Sequence, residues 1–421
     1  MDQTRRAVLA GVAGLFAGCG TTSQRTTTPR STATVTSTTE TVRYTHLQPS
    51  GNRHISGSGR FDAVDPIDIA IEGHPKWLVG LPVEGGSLWV VVPEAGAPEA
   101  VRVSQDRVES VVIEPDLPAG QPPAVVVQDN GVRFLTADET GPNTHAVQFP
   151  DGTIVTVSEA GAVRVDGDLL IEDALPDARI VWQDDVAAVL AGATERYDHG
   201  ALGDEVEARA IVLFVADGSG TVRRRVQLPE PTVVEGVAPI LADIDDDGDP
   251  EVLVTVTGPD EGARVVAYGL DGERVATGPA IGTGFRWRHQ LCVAPFSPDG
   301  APEIAVVRTP HIGGTVEFYR IDGDRLSIAA RYDGVSSHAF GSRILDGGLA
   351  GDLLGDGRQT LAVPTQERRK LVALQRQDGV RQAAQRDIGA SLASNVAATP
   401  TDDGGLSIAV GRSDGVVRVW Q

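Results

Sequence analysis

The sequence contains little positive charge and almost no lysine. Its 421 residues include 36 Lys and Arg against 58 Asp and Glu, which gives a formal net charge of -22, and the only lysines are Lys76 and Lys370. A surface with this charge repels nucleic acid, so a nucleic-acid-binding role is not expected. An excess of carboxylates with so little lysine is typical of proteins from salt-adapted, haloarchaeal-type cells, because molar salt screens charges over about 3 Å.

Cysteine and long apolar runs are equally scarce. Cys19 and Cys292 are the only two cysteines, so a disulfide framework inside a folded domain is excluded, and the apolar run around Cys292 predicts a core position for it. The apolar run over residues 7–18 is shorter than the about 20 residues that a membrane-spanning helix needs. Phosphate loops, dinucleotide-binding fingerprints and nucleophile elbows are also absent, so no motif points to an enzyme class.

The first 43 residues have the composition of an export signal followed by a tether. Arg5 and Arg6 precede the short apolar run, and Phe16-Ala17-Gly18-Cys19 closes it. These features resemble a twin-arginine export signal and a lipobox. We therefore expect a signal peptide over residues 1–19, lipidation of Cys19, and a protein anchored to the outer side of the cytoplasmic membrane. Residues 20–43 are rich in Ser and Thr and lack aromatic residues, which predicts a solvated stalk.

The rest of the chain, residues 44–421, has the pattern of an all-β repeat protein. Short Val-, Ile- and Leu-rich runs alternate with Gly, Asp and Pro clusters, and helical periodicity is nearly absent. The clearest unit, residues 289–332, has four such runs and three turns, and the same order recurs at 343–388 and 238–279. The sequence therefore predicts one β-propeller domain of seven or eight four-stranded antiparallel blades. A pair of stacked β-sandwiches is the alternative.

The last repeat indicates how the ring closes. Residues 395–421 supply three strands, and then the sequence ends. A segment near residues 60–70 can provide the fourth strand, which would close the ring and leave no open sheet edge between the first and last blades.

One loop has the spacing of a calcium site. Asp243, Asp245 and Asp247 occupy alternate positions, Gly248 permits a sharp turn, and a strand follows. We expect the three carboxylates to share one Ca²⁺ ion, because this ion prefers oxygen ligands. The backbone carbonyl of Asp249 and the carboxylate of Glu251 complete the predicted set.

This loop and its repeats resemble the FG-GAP or VCBS repeat family of β-propellers, which are related to the head of integrin alpha subunits. The resemblance covers residues 230–421 best. Phe340-Gly341 precedes a first strand as the Phe-Gly of the family does, and Asp352 to Gly357 has the loop pattern with Leu354 in place of the middle ligand. The resemblance implies that calcium is a structural ion and that its loop joins the first and second strands of a blade.

If the calcium loop lies on one face of the ring, the loops on the opposite face collect histidine and arginine side chains. In an acidic chain, this concentration predicts a local positive site for an anionic ligand. The predicted ligand-binding residues are His199, Arg286, Arg288, His289, Arg308, His311, His338 and Arg343.

Three classes of function are compatible with such a face. The first is a binding or interaction module for a carbohydrate or for a protein. The positive charge of the face favours an anionic carbohydrate. The second is a lyase or metal-dependent enzyme, with the four histidines holding a transition metal, or with His289 or His338 acting as a base beside Arg308 and Arg343. The third is a purely structural role in assembly.

Overall fold

The computed structural model describes residues 44–421, apart from residues 106, 115, 129 and 130, and in this part of the chain the regular elements are all β-strands. Among the same residues no helix is long and apolar enough to cross a membrane. The predicted signal peptide (residues 1–19, with Arg5, Arg6 and Cys19) and the stalk (residues 20–43) lie outside the described residues.

The strands form consecutive antiparallel groups, which we number as blades in chain order. Blade one comprises Pro75–Val83, Gly86–Pro93, Glu99–Ser104 and Arg107–Val111; blade two comprises Tyr44–Thr45, Ala124–Gln128 and Gly131–Phe134; blade three comprises Val147–Gln148, Ile154–Val157, Val163–Val165 and Asp168–Ile171. Blade four comprises Val181–Gln183, Val186–Thr194, Glu207–Val215 and Val222–Gln227; blade five comprises Ile240–Ala242, Glu251–Thr257, Arg264–Tyr268 and Arg274–Thr277; blade six comprises Arg288–Ala294, Glu303–Arg308, Gly314–Asp322 and Arg325–Val335. Blade seven comprises Leu349–Asp352, Thr360–Pro364, Lys370–Arg376 and Val380–Asp387, and blade eight comprises Leu392–Pro400, Gly405–Arg412, Val416–Trp420 and Ile67–Ala70.

The all-β propeller fold predicted from the sequence is thus confirmed. Among the described residues, the second group has three strands and each of the other seven groups has four. Val233–Val234 and His54–Gly59 are additional short strands between blades. The number of blades in the ring, seven or eight, stays a prediction.

Burial follows strand position within a blade. Glu251–Thr257, a second strand, is buried along its whole length, because neighbouring blades cover both of its faces. Arg325–Val335, an outer strand, has exposed residues at alternating positions along much of its length. The core is therefore distributed between blades: one cluster joins blades five and six and another joins blades six and seven.

An N-terminal strand closes the ring, as predicted. Ile67–Ala70 pairs antiparallel with Val416–Trp420 and supplies the fourth strand of blade eight. The same chain segment has a second structural role that the sequence did not indicate.

Residues 44–59 run through the centre of the ring and contact the first strands of successive blades. Their carbonyls accept hydrogen bonds from Trp182 of blade four at 2.7 Å, Leu241 of blade five at 2.8 Å and Ala350 of blade seven at 2.8 Å. Asn52 exchanges two hydrogen bonds with the backbone of Val293 in blade six. We call residues 44–59 the channel segment.

Candidate functional site

The predicted calcium loop has the geometry of an oxygen-rich cation site. Single carboxylate oxygens of Asp243, Asp245 and Asp247 lie within 4.8 Å of one another. The backbone amides of Asp246 and Gly248 donate to Asp243 at 2.7 and 3.0 Å, and that of Asp249 donates to Asp247 at 2.9 Å, which shapes the loop around these side chains.

The surroundings of the Glu251 side chain are further evidence that the loop fits a cation. Its side chain is buried and accepts a hydrogen bond from the amide of Ile244 at 3.0 Å. Burial, followed by the repulsion from Asp245, Asp247 and Asp243, raises the pKa of Glu251 to about 7. A buried carboxylate beside three others is stabilised by a bound divalent cation, and the donor set suits Ca²⁺.

The related loop of blade seven differs in its side chains. Asp352 accepts a hydrogen bond from the amide of Asp356 at 3.0 Å, and the Asp356 carboxylate accepts from the side chain of Gln375 at 3.0 and 3.1 Å. Leu354 stands where Asp245 stands in the calcium loop, so this loop offers fewer oxygen ligands and satisfies its carboxylates internally.

The predicted histidines lie on the face opposite the calcium loop, because they follow second strands, precede first strands or, for His289, stand at the start of a first strand. Three of them surround Trp287, which is buried. Its ring centroid lies 4.7 Å from that of His289, 6.0 Å from that of His311 and 5.2 Å from that of His338. Blade six and the connection to blade seven thus bring together residues that are up to 49 positions apart (289 to 338).

These three imidazoles are held by specific hydrogen bonds. His338 Nε2 donates to the carbonyl of Ser342 at 2.6 Å, so its Nδ1 carries the lone pair that accepts from His311 Nε2 at 2.6 Å. His289 Nδ1 contacts Ser337 Oγ at 2.7 Å. Burial, followed by the charge of His199, lowers the pKa of His311 to about 4, and burial also lowers the pKa of His338 to about 3. The cluster is therefore uncharged at neutral pH.

His199 lies in the loop between the second and third strands of blade four. Its Nδ1 contacts the buried carboxylate of Glu235, and its ring stacks on Phe285 with centroids 5.4 Å apart and planes 13° apart. Among the described residues, Asp243, Asp245 and Asp247 are the one set of three potential ligand side chains with atoms within 4.8 Å of one another. The structure thus gives the four histidines hydrogen-bonded roles and does not converge them on one point.

The four predicted arginines divide into two pairs. Arg288 is buried and its guanidinium donates to Glu317 at 3.0 Å and to the carbonyls of Ala263 and Pro279. Arg343 pairs with Asp177 at 2.9 Å and with Asp204. These two side chains are occupied by the protein itself, since neighbouring carboxylates neutralise them, so they do not form the expected positive site.

Arg286 and Arg308 are the pair that faces solvent. Arg286 is exposed, and Arg308 is 40% exposed, with its Nε 3.8 Å from a Glu317 carboxylate oxygen. Both can reach a ligand without breaking a short hydrogen bond.

Three large apolar side chains on the same face were missed by the sequence reasoning. Phe285 is 56% exposed, Ile312 is 83% exposed and Phe340 is 65% exposed. The Phe340 ring meets that of His311 edge-on with centroids 5.3 Å apart. We call the surface formed by Phe285, Arg286, Arg308, His311, Ile312 and Phe340 the aromatic face. The signal was present in the sequence, because each apolar residue lies within two positions of a predicted arginine or histidine.

Comparison with known proteins supports the fold and leaves the function open. No family model matches the chain, and no curated protein matches it significantly. Similar solved structures include a europium-containing methanol dehydrogenase, 10% identical with a TM-score of 0.50 over 88% of this chain and 91% of that one. Others are the beta-propeller domain of Cps50 (Swd1) from Myceliophteria thermophila, 12% identical (TM-score 0.42; 84% and 99% covered), and streptogramin B lyase, 11% identical (0.41; 85% and 97%). The chain is a β-propeller protein, and at these identities its likeness to known structures concerns the fold alone.

Proposed function

We propose that this β-propeller is a binding module that holds an anionic carbohydrate on the aromatic face. The observation that carries the proposal is the exposure of Phe285, Ile312 and Phe340 on the face that also carries two solvent-facing guanidinium groups. Monomeric proteins rarely group large exposed apolar side chains without a binding role.

The chemistry of the aromatic face suits an acidic sugar. Aromatic rings pack against the C–H faces of sugar rings, and Phe285 and Phe340 each present a ring to solvent. Arg286 and Arg308 can bind a carboxylate with paired N–H donors. His311 is uncharged, so it adds a polar group to the face without changing the charge that the anion meets.

The test is glycan binding by matched variants. Phe340→Ala and Arg308→Ala should each weaken binding of an acidic glycan about five- to thirtyfold, since each removes a contact of about 1–2 kcal/mol. The matched controls are Leu169→Ala and Val222→Ala, which remove exposed apolar side chains elsewhere on the ring and should leave binding unchanged. Binding that survives the double variant Phe340→Ala/Arg308→Ala would refute the proposal, and a response only to protein partners would replace carbohydrate with a protein ligand.

The same proposal includes a place in the cell and a structural ion. The twin-arginine motif, Cys19 and the Ser/Thr-rich stalk support a lipid-anchored protein outside the cytoplasmic membrane, and the calcium loop supports an ion that stabilises blade five, as the FG-GAP and VCBS resemblance implies. Changing Arg5 and Arg6 together to Lys should retain the protein in the cytoplasm. Unchanged export would exclude the twin-arginine route.

A lyase or metal-dependent enzyme on the same face is the second candidate. The observation that favours it is the tautomer of His311: because Nε2 donates to His338, Nδ1 is left as a base on a half-buried ring. Release of unsaturated sugar from a polyuronate, lost in His311→Asn, would establish this activity. Binding without turnover would assign the face to recognition.

A further inference from the structure

The centre of the ring contains a cavity on the side of the calcium loop. It has a volume of about 370 Å³ and lies between residues 45–56 of the channel segment and the first strands of several blades. Trp182, Gln148 and Pro400, at the ends of first strands, line its outer part. Cavities of about 300–1,000 Å³ are the usual size of small-molecule sites. We call this space the channel cavity.

The side chains around the channel cavity depart from the charge of the protein as a whole. The chain has 58 Asp and Glu, yet none of the described residues that line the cavity is acidic. Its polar lining consists of Thr45, His46, Gln48, Arg53, His54, Ser56, His145, Gln148 and Thr399. Three of the eight histidines therefore line a space that has no carboxylate in its own lining, and Asp346 lies behind it, 3.9 Å from Nε2 of His46.

The inner end of the cavity has buried polar groups without hydrogen-bond partners. His46 and His145 are 4% and 6% exposed, and their ring centroids are 4.9 Å apart. Nδ1 of His145 has no hydrogen-bond partner, and the ring nitrogens of His46 make only weaker contacts, with the carbonyl of Pro123 and, at 3.9 Å, with a carboxylate oxygen of Asp346. Buried polar groups without partners are rare in folded proteins, so an additional polar group at this position would be stabilising.

The charges behind these histidines are unbalanced in favour of an anion. Arg53 and Arg179 both pair with Asp346, at 3.3 and 2.9 Å, and all three side chains are buried. Two guanidinium groups therefore share one carboxylate. In a low-dielectric interior, the remaining positive charge attracts a negative ligand strongly.

The walls of the cavity indicate which kind of anion would fit. Leu47, Leu78, Val147 and Ile180 line it together with the polar residues. An inorganic oxyanion would leave these apolar walls in contact with water, whereas an organic molecule would cover them.

We propose that the channel cavity binds a small organic carboxylate, with its carboxylate toward His145 and His46, where the charge of Arg53 and Arg179 exceeds that of Asp346, and its carbon skeleton against the apolar walls. This site lies on the other side of the ring from the aromatic face and does not depend on the function proposed for that face. The channel segment forms one wall of it, which gives the segment a role in binding besides its role in the fold.

Binding at this site should be linked to protonation. Burial, followed by Arg179, His145 and Arg53, lowers the pKa of His46 well below its ordinary range, while the carbonyl of Pro123 opposes this change. Burial, followed by Arg179, lowers the pKa of His145 to about 3, and Asp346 opposes this change. Burial also lowers the pKa of His54 at the outer part. A bound carboxylate favours the protonated imidazoles, so affinity should increase as the pH falls.

The experiment is isothermal titration of glucuronate into the purified full-length protein carrying Phe340→Ala and Arg308→Ala, which removes binding at the aromatic face. We expect one molecule bound per chain, and about tenfold tighter binding at pH 5.5 than at pH 7.5 when the bound carboxylate raises the pKa of one of these histidines to about 6.5. Glucose, which has the same ring without the carboxylate, should not bind.

Three variants locate the site. Ser56→Trp, at an exposed position on the cavity lining, should block entry and reduce affinity at least tenfold. His145→Gln should remove most of the pH dependence, and His54→Gln at the less buried part serves the same purpose if His145→Gln does not fold. His74→Gln, an exposed histidine outside the cavity, is the matched control and should bind as the parent does.

Several results would overturn the proposal. They are the absence of glucuronate binding at millimolar concentration at pH 5.5, binding that Ser56→Trp leaves unchanged, and equal binding of sulfate, which would indicate an unspecific anion effect.

Discussion

Arg53 of the channel segment and Asp346, just before blade seven, form a buried ion pair at the centre of the ring, with Nη1 3.3 Å from Oδ1. Arg53 also donates to the carbonyls of Gly348 at 2.8 Å and His46 at 3.0 Å and to that of Val396. A single side chain therefore joins the channel segment to blades seven and eight.

Replacing Arg53 with Leu should destabilise the protein strongly. The change leaves buried carbonyls unpaired and leaves Asp346 with one guanidinium partner fewer, and breaking a buried pair of this kind costs about 3–5 kcal/mol. Urea unfolding followed by circular dichroism measures the difference. Arg107→Leu is the control, because Arg107 is 76% exposed in its pair with Glu109 and should change stability by less than about 1 kcal/mol. Equal effects of the two substitutions would contradict the role assigned to Arg53.

Calcium should stabilise the protein through the loop of blade five. At a concentration one hundred times the dissociation constant, the ion adds about 2.7 kcal/mol, so chelation should lower the melting temperature. Asp245→Ala should melt at the same temperature with and without chelator. Asp246→Asn is the matched control, because Asp246 lies in the same loop outside the three-carboxylate set and Asn tolerates its φ of +66°. Chelator sensitivity retained by Asp245→Ala would place the ion elsewhere.

Without calcium, the titration of Glu251 should make the protein less stable as the pH rises. Its pKa is raised to about 7 in the folded protein, so its favourable contribution is present below the ordinary glutamate pKa of about 4.3 and is lost as the pH rises through 7. In EDTA, Glu251→Gln should therefore gain stability relative to wild type between pH 5 and 8. Glu109→Gln, at an exposed position, should show no such gain, and a flat difference for Glu251→Gln would mean that this carboxylate is ionised without the metal.

The histidines around Trp287 should have the opposite effect and make the protein less stable as the pH falls. The pKa values of His311 and His338 are lowered to about 4 and about 3, so the unfolded chain binds protons first, and stability falls as the pH drops from about 6.5 toward 4. Chemical unfolding at pH 7.5 and 5 measures the loss. The double variant His311→Asn/His338→Asn should lose less stability over this range than wild type does. His74→Asn should follow wild type, and identical losses in all three proteins would assign the acid sensitivity to other groups.

The ring itself could be predicted because each blade repeats a local pattern. Apolar strands between Gly- and Asp-rich turns recur along the chain, and the missing strand of the last repeat pointed to residues near 60–70, which pair with Val416–Trp420 in the structure. The calcium loop was visible for the same reason: its residues are neighbours in the sequence.

The channel segment could not be predicted because its partners are backbone atoms of several distant blades, which leave no pattern of side chains. The electrostatics of the candidate face were hidden in the same way. Sequence alone places Arg343 among cations, whereas the fold places it against Asp177 and Asp204. The sequence likewise does not show that Glu317 neutralises Arg288 beneath the surface.

The position of the channel segment has a consequence for biosynthesis. Residues 44–59 leave the ribosome before the blades that they contact, and Ile67–Ala70 must wait for its partner strand, Val416–Trp420. The ring therefore closes only after Val416–Trp420 has been made. Until then the outer strand Ile67–Ala70 has an unpaired edge, and this edge is the structural feature by which an incomplete ring differs from a closed one.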